Sequence, residues 1–182
     1  MKPILFLLSS VILVFISRRS LRSARSHGFP RLLAWECMLA LFLFNVDFWF
    51  IQPFAWNQII AWTLLFLSLI PLGYGVHFLR TRGRPTHHRE GDPALLAFEK
   101  TTQLVTTGIY QYIRHPLYCS LLLLAWGIFF KHPDLIGFVL SAASSVFLFL
   151  TAKADEAECL QFFGDEYIQY MRRSKMFIPY LF

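Results

Sequence analysis

Five apolar runs alternate with polar segments along this chain. Residues 3–17, 32–50, 61–79, 116–130 and 135–150 are dominated by Leu, Ile, Val, Phe and Trp. Runs of this length and polarity predict membrane helices, the first one short but extendable by snorkelling of its end residues. The expected fold is therefore an all-α integral membrane protein with about five transmembrane helices. The positive charge of the first run mainly follows it, at Arg18 and Arg19, and no small-residue cleavage site is evident, so it is not read as a signal peptide. Within the second run, Glu36 and Asp47 lie toward the ends, where an interfacial position is the cheaper reading. The sequence Pro71-Leu72-Gly73-Tyr74-Gly75 predicts a kink or a close helix contact in the third run. It is no dinucleotide loop, because the third glycine and the preceding strand are missing.

The last two runs are joined only by Lys131-His132-Pro133-Asp134, with Asp134 a suitable N-cap. They predict a C-terminal helical hairpin with both other ends on one side. Beyond Thr151 the chain turns polar, and Leu160, Phe163, Tyr167 and Tyr170 recur at three- and four-residue steps. This is an amphipathic stripe, with an interruption expected at Gly164. The apolar end, 177–182, predicts a tail that lies on the membrane surface and turns back toward the core.

Charge sets the orientation. Fifteen of the 17 lysines and arginines fall in 18–31, 80–114 and the C-terminal tail, leaving Lys2 and Lys131 on the other side. By the positive-inside rule the N-terminus is outside and the C-terminus cytosolic. The absence of a targeting signal fits a bacterial inner membrane. The chain is 56% hydrophobic and only 15% charged, and its net charge of +6 is accounted for by orientation and anionic lipid. No nucleic-acid partner is needed. Cys37, Cys119 and Cys159 are far apart, which predicts neither a disulfide framework nor a zinc site. His87 and His88 are adjacent but lack a second ligand pair at zinc spacing.

Chemistry concentrates where the long polar segment, 80–115, enters the fourth run. There Tyr110 and Tyr112 precede Arg114-His115-Pro116. Proline suits the first turn of a helix, which places His115 at the N-cap. The free N–H groups and the positive dipole end then face the polar side and attract carboxylates or phosphates. Asp155 and Glu156 lie just past the fifth run, so the hairpin brings acidic, basic and aromatic groups to one membrane boundary.

The blocks Leu104-Val105-Thr106-Thr107-Gly108-Ile109-Tyr110 and Arg114-His115-Pro116-Leu117-Tyr118 are followed by Asp155-Glu156. Phe163-Gly164-Asp165-Glu166-Tyr167-Ile168-Gln169-Tyr170 completes the order. This arrangement resembles the isoprenylcysteine carboxyl methyltransferase family and its bacterial relatives, including phospholipid N-methyltransferases, over about 101–179. The resemblance implies a membrane methyltransferase that uses S-adenosyl-L-methionine and acts on a lipidic or hydrophobic acceptor at the cytosolic face. It implies one domain, with three spans in 1–79 and the cofactor-binding core in 80–182. It also implies that Gln103, Leu104, Val105, Gly108, Tyr110, His115, Pro116, Leu117, Tyr118 and Asp155 bind the cofactor. Arg114 or His115 would hold a carboxylate, and His115 or Glu156 would be the base if the acceptor is an amine or thiol. Arg114, His115 and Glu156 are thus the candidate catalytic residues. Two positions depart from the family: Thr151 stands where the prenylcysteine enzymes carry arginine, with Lys153 the nearest cation, and Ser120 where glycine is frequent. A non-catalytic scaffold or lipid-binding protein of the same fold is the alternative, and a membrane reductase a third.

Overall fold

The computed structural model describes residues 1–18, 21, 28–84, 99 and 101–180. Its α-helices among these residues are α1 (Lys2–Ser17), α2 (Gly28–Asn45), α3 (Trp56–Arg82), α4 (Pro116–Phe129), α5 (Leu135–Phe163) and α6 (Asp165–Arg173). Short 3-10 turns, Val46–Phe48 and Gly108–Gln111, follow α2 and precede α4. The stretch Gly28–Phe48, α3 and α5 are long and apolar enough to cross a bilayer, whereas α1 and α4 are apolar but shorter. At 1.5 Å per residue the two short helices reach only about 20–25 Å. Ile4, Leu7 and Val11 of α1, Phe66 and Leu69 of α3, and Val139 and Val146 of α5 are exposed. Outward-facing apolar side chains of this kind are what a bilayer covers.

The starts of α1, α4 and α5 have local causes. Pro3 occupies the first turn of α1, and Pro116 opens α4 with His115 as N-cap. Asp134 caps α5 as expected, its Oδ1 accepting from the Gly137 N–H at 2.7 Å. The largest departure concerns α5. Composition alone ends that run near residue 150, yet the helix continues to Phe163. The charged stretch 151–163 contains no glycine or proline, so the change of environment does not interrupt the backbone. Gly164 ends it at φ 56°, ψ −130°, a conformation that glycine reaches far more cheaply than other residues.

The packing partners also differ from a simple hairpin. Although α4 and α5 touch, α4 packs most extensively on α3, and α5 on α2. A Cβ at Gly75 would lie 3.2 Å from Leu117 and Pro116, so this glycine lets α3 approach the start of α4. The Pro71–Gly75 stretch thus serves as a close helix contact within a continuous α3. Glu36 is not at the end of α2 but in its third turn, where it accepts a 2.6 Å hydrogen bond from Ser10 of α1. Asp47 lies in the 3-10 turn, paired with Lys2. At that same end Lys131 is only 1% exposed. Its ammonium donates to Gln58 Oε1 at 2.9 Å and sits 3.5 Å from the centre of the Trp62 ring. A carbonyl and an aromatic face together replace much of the water it loses.

The C-terminal tail returns to the core. Residues 174–177 run beside 112–115, with a parallel bridge between Ile113 and Lys175. The Arg114 N–H donates to Lys175 O at 2.8 Å and the His115 N–H to Met176 O at 3.2 Å. Met176 and Phe177 then bury among Ala34, Tyr118, Leu148 and Ala152. The strap holds the two residues that lead into α4.

Candidate functional site

A cleft opens where α3 ends, α4 begins and α5 meets α6. It encloses about 690 Å³ of empty space, part of it open to solvent. Leu104, Val105, Tyr110, Arg114, His115, Pro116, Leu117, Tyr118 and Asp155 line it, all of them singled out by sequence. Segments some forty residues apart in the chain converge because α5 continues past the apolar run and brings Asp155 beside the N-cap of α4.

Three of the sequence candidates do not line the cleft. Gln103 is exposed, and its backbone N–H donates to Gly83 O at 3.2 Å, docking the returning chain on the end of α3. Gly108 has φ +64°, and a Cβ there would sit 2.2 Å from the Phe78 ring. It shapes the loop that carries Tyr110. Glu156 is buried behind the wall, where its Oε1 accepts from Arg114 Nε at 2.8 Å and its Oε2 from Lys153 Nζ at 3.1 Å. Arg114 also donates to the carbonyls of Met171 and Ser174. Its guanidinium therefore ties α5, α6 and the strap together.

His115 stands between two carboxylates. Nδ1 lies 3.5 Å from Asp155 Oδ2 and Nε2 lies 3.6 Å from Glu156 Oε1. These are ion-pair contacts more than hydrogen bonds, and buried Nε2 has no hydrogen-bond partner among the described residues. The ring stacks on Tyr118, centroids 5.4 Å apart. Burial lowers the proton affinity of His115, but Asp155 and Glu156 outweigh it and raise the pKa above the usual 6.5. The folded state thus binds this proton more tightly than the unfolded chain. Its contribution to stability is fully present below about pH 6.5 and disappears as pH rises through the folded-state pKa. The melting temperature in detergent is expected to fall over that window, and Asp155→Asn to fall less. Parallel profiles for the two proteins would contradict this.

The tyrosines form the walls. Tyr170 donates its hydroxyl to Tyr110 O at 2.7 Å, and the Tyr110 hydroxyl reaches Gly75 O at 3.4 Å. Burial, followed by Tyr170, Glu99 and Asp155, pushes the Tyr110 pKa up, so its phenol stays a donor. Sequence reasoning placed Phe163, Tyr167 and Tyr170 on one helical stripe without assigning them to the cleft they line. Cys159 was missed, although Asp155, Cys159 and Phe163 follow one another at helical four-residue spacing. Leu79, Glu99 and Thr101 also line the cleft and carried no periodic signal. His87 and His88 lie outside the described residues.

Comparison with known proteins meets this site from another direction. Residues 93–166 match the phospholipid methyltransferase family. A methanethiol S-methyltransferase 1 from Bradyrhizobium diazoefficiens is 29% identical over 125 residues, which is 66% of this chain and 39% of the relative. A methanethiol S-methyltransferase from Crocosphaera subtropica is 26% identical over 76 residues, 42% of this chain and 29% of the relative. The chain therefore covers well under two thirds of either relative. No solved structure matches it significantly. The matched segment holds α4, all of α5 and every sequence-derived site residue.

Proposed function

We propose that this protein is an integral-membrane methyltransferase that draws its methyl group from S-adenosyl-L-methionine and passes it to a hydrophobic acceptor at the cytosolic face. The observation that carries the proposal is the convergence of His115 and Asp155 in a cleft walled by Tyr110 and Tyr118. The cleft suits the donor chemically. Aromatic walls accept a purine, carboxylates accept hydrogen bonds from hydroxyl or ammonium groups, and His115 Nε2 is a buried polar atom without a hydrogen-bond partner among the described residues.

When bound, the donor supplies an electrophilic methyl group on a sulfonium. The protein's own residues do the rest. Leu104, Val105 and Leu117 give apolar contact and exclude water. Asp155 holds a polar edge of the donor and orients His115. Where the acceptor is a thiol or amine, His115 takes up its proton, and the flanking carboxylates stabilise the resulting imidazolium. Arg114 and Glu156 keep this corner rigid, so the site works largely by alignment and exclusion of water.

Methanethiol, the substrate both relatives are named for, puts thiols first among acceptors to test, ahead of phospholipid amines and prenylcysteine carboxylates. Transfer of labelled methyl from S-adenosylmethionine to a panel of these acceptors is the direct assay. Turnover with one class, lost in His115→Ala, is expected. A folded protein that labels none of them would leave a non-catalytic scaffold as the better reading.

A further inference from the structure

Arg31 opens a question that the cleft answers. It lies in the first turn of α2, outside the matched segment, and is only 6% exposed. A buried guanidinium beside an apolar helix is costly unless it is paired. Its Nη1 lies 3.5 Å from Glu99 Oε2, and its guanidinium carbon sits 5.2 Å from the centre of the Trp35 ring. Glu99 is itself nearly buried, with 13% side-chain exposure, and lines the cleft. Arg31 therefore fixes a second carboxylate on the cleft wall, reaching it from a helix that carries none of the sequence motifs.

Glu99 and Asp155 look into the same space. Both act electrostatically on Tyr110 and on Tyr118. Asp155 is already engaged at His115, 3.5 Å away. Glu99 is held at its back by Arg31, in a cleft whose surface is otherwise largely apolar. Two separated anionic points in such a cleft suit a ligand with an aromatic body, polar hydroxyls and a compact cation at its far end. Glu99 supplies the point that is not committed to the histidine corner.

We propose that Glu99, positioned by Arg31, is the subsite for the α-ammonium of the donor's amino-acid portion. This rests on the reading of the cleft as the methyl-donor site. The test compares two probes that share the nucleoside and differ in the amino-acid part: S-adenosylhomocysteine and 5′-methylthioadenosine. Binding of each to the full detergent-purified chain is measured by calorimetry, with melting temperature as the folding control.

Glu99→Gln is expected to weaken S-adenosylhomocysteine about 10- to 100-fold, the worth of one charge-assisted hydrogen bond. It should leave 5′-methylthioadenosine within about twofold, since that probe has no group to lose. Arg31→Met should show the same selectivity, because a misplaced Glu99 affects only the amino-acid portion. Should Glu99→Gln fail to fold, Glu99→Asp keeps the charge, withdraws it by one methylene and should show a smaller selective loss. Equal loss of both probes, or selective loss in Asp155→Asn but not in Glu99→Gln, would overturn the assignment. A wild-type chain that binds neither probe would remove the donor-site reading and this inference with it. Binding of both probes by wild type, with no selectivity in any Glu99 variant, would overturn the inference alone.

Discussion

Arg114→Ala is expected to destabilise the protein by about 3–5 kcal/mol, the cost of leaving one partner of a buried ion pair uncompensated. Arg114 Nε donates to Glu156 Oε1 at 2.8 Å, and the side chains are 9% and 4% exposed. Loss of the guanidinium also strips the carbonyls of Met171 and Ser174 of a donor. Lys153 still reaches Glu156, but its side chain is 51% exposed, so water weakens that contact. The double variant Arg114→Met, Glu156→Gln removes both charges and should lose less than Arg114→Ala alone. Denaturant unfolding in detergent checks this. A single variant within about 1 kcal/mol of wild type would show that the pair holds nothing together.

Gly108→Ala is the second large effect, expected at about 2–5 kcal/mol. Two costs add. A left-handed φ strains any residue with a Cβ by about 1–2 kcal/mol, and forcing a methyl into packed atoms adds about 1–3 kcal/mol. At Gly108 the φ is +64° and the Cβ would sit 2.2 Å from Phe78. Gly164 provides the internal comparison. Its φ is +56°, but a Cβ there meets nothing within 4 Å. Gly164→Ala should therefore cost backbone strain with no clash, at a ψ of −130° that is itself unfavourable for alanine. A melting temperature of Gly108→Ala equal to that of wild type would show that the loop moves away from Phe78 without resistance.

The starts of helices and the site mouth were legible in the sequence because they depend on local chemistry. Proline at 116 with histidine before it, and Asp134 before an apolar run, each define a helix start within a few residues. The ends were harder to read. Hydropathy reports the surroundings of a side chain, and the surroundings of α5 change near 151 while its backbone continues to Phe163. Pairing of helices was also hidden. The short 131–134 turn makes α4 and α5 neighbours in sequence, yet Gly75 gives α3 the closer fit to the start of α4.

Charges in apparently polar segments misled in the same way. Arg31 counts toward topology, and Lys131 sits in a turn, yet both are buried against partners distant in sequence. The amphipathic stripe of α6 was visible, but nothing in it indicated that Tyr170 would bind Tyr110 O. Candidate residues adjacent in one motif separate in space for a related reason. Gln103 and Gly108 shape the loop, while Leu104, Val105 and Tyr110 face the cleft. In an irregular segment, alternation of inside and outside follows turns that no period describes.

Calorimetric titration of S-adenosylmethionine into the detergent-purified chain, beside His115→Ala and Asp155→Ala, tests the central claim most directly. Both side chains line the cleft and stand 3.5 Å apart. Saturable binding by the wild-type chain is predicted, with a loss of at least about tenfold in each variant, or about 1.4 kcal/mol. Absence of binding by folded protein in both detergent and lipid, or binding that neither substitution weakens, would contradict the assignment of this cleft.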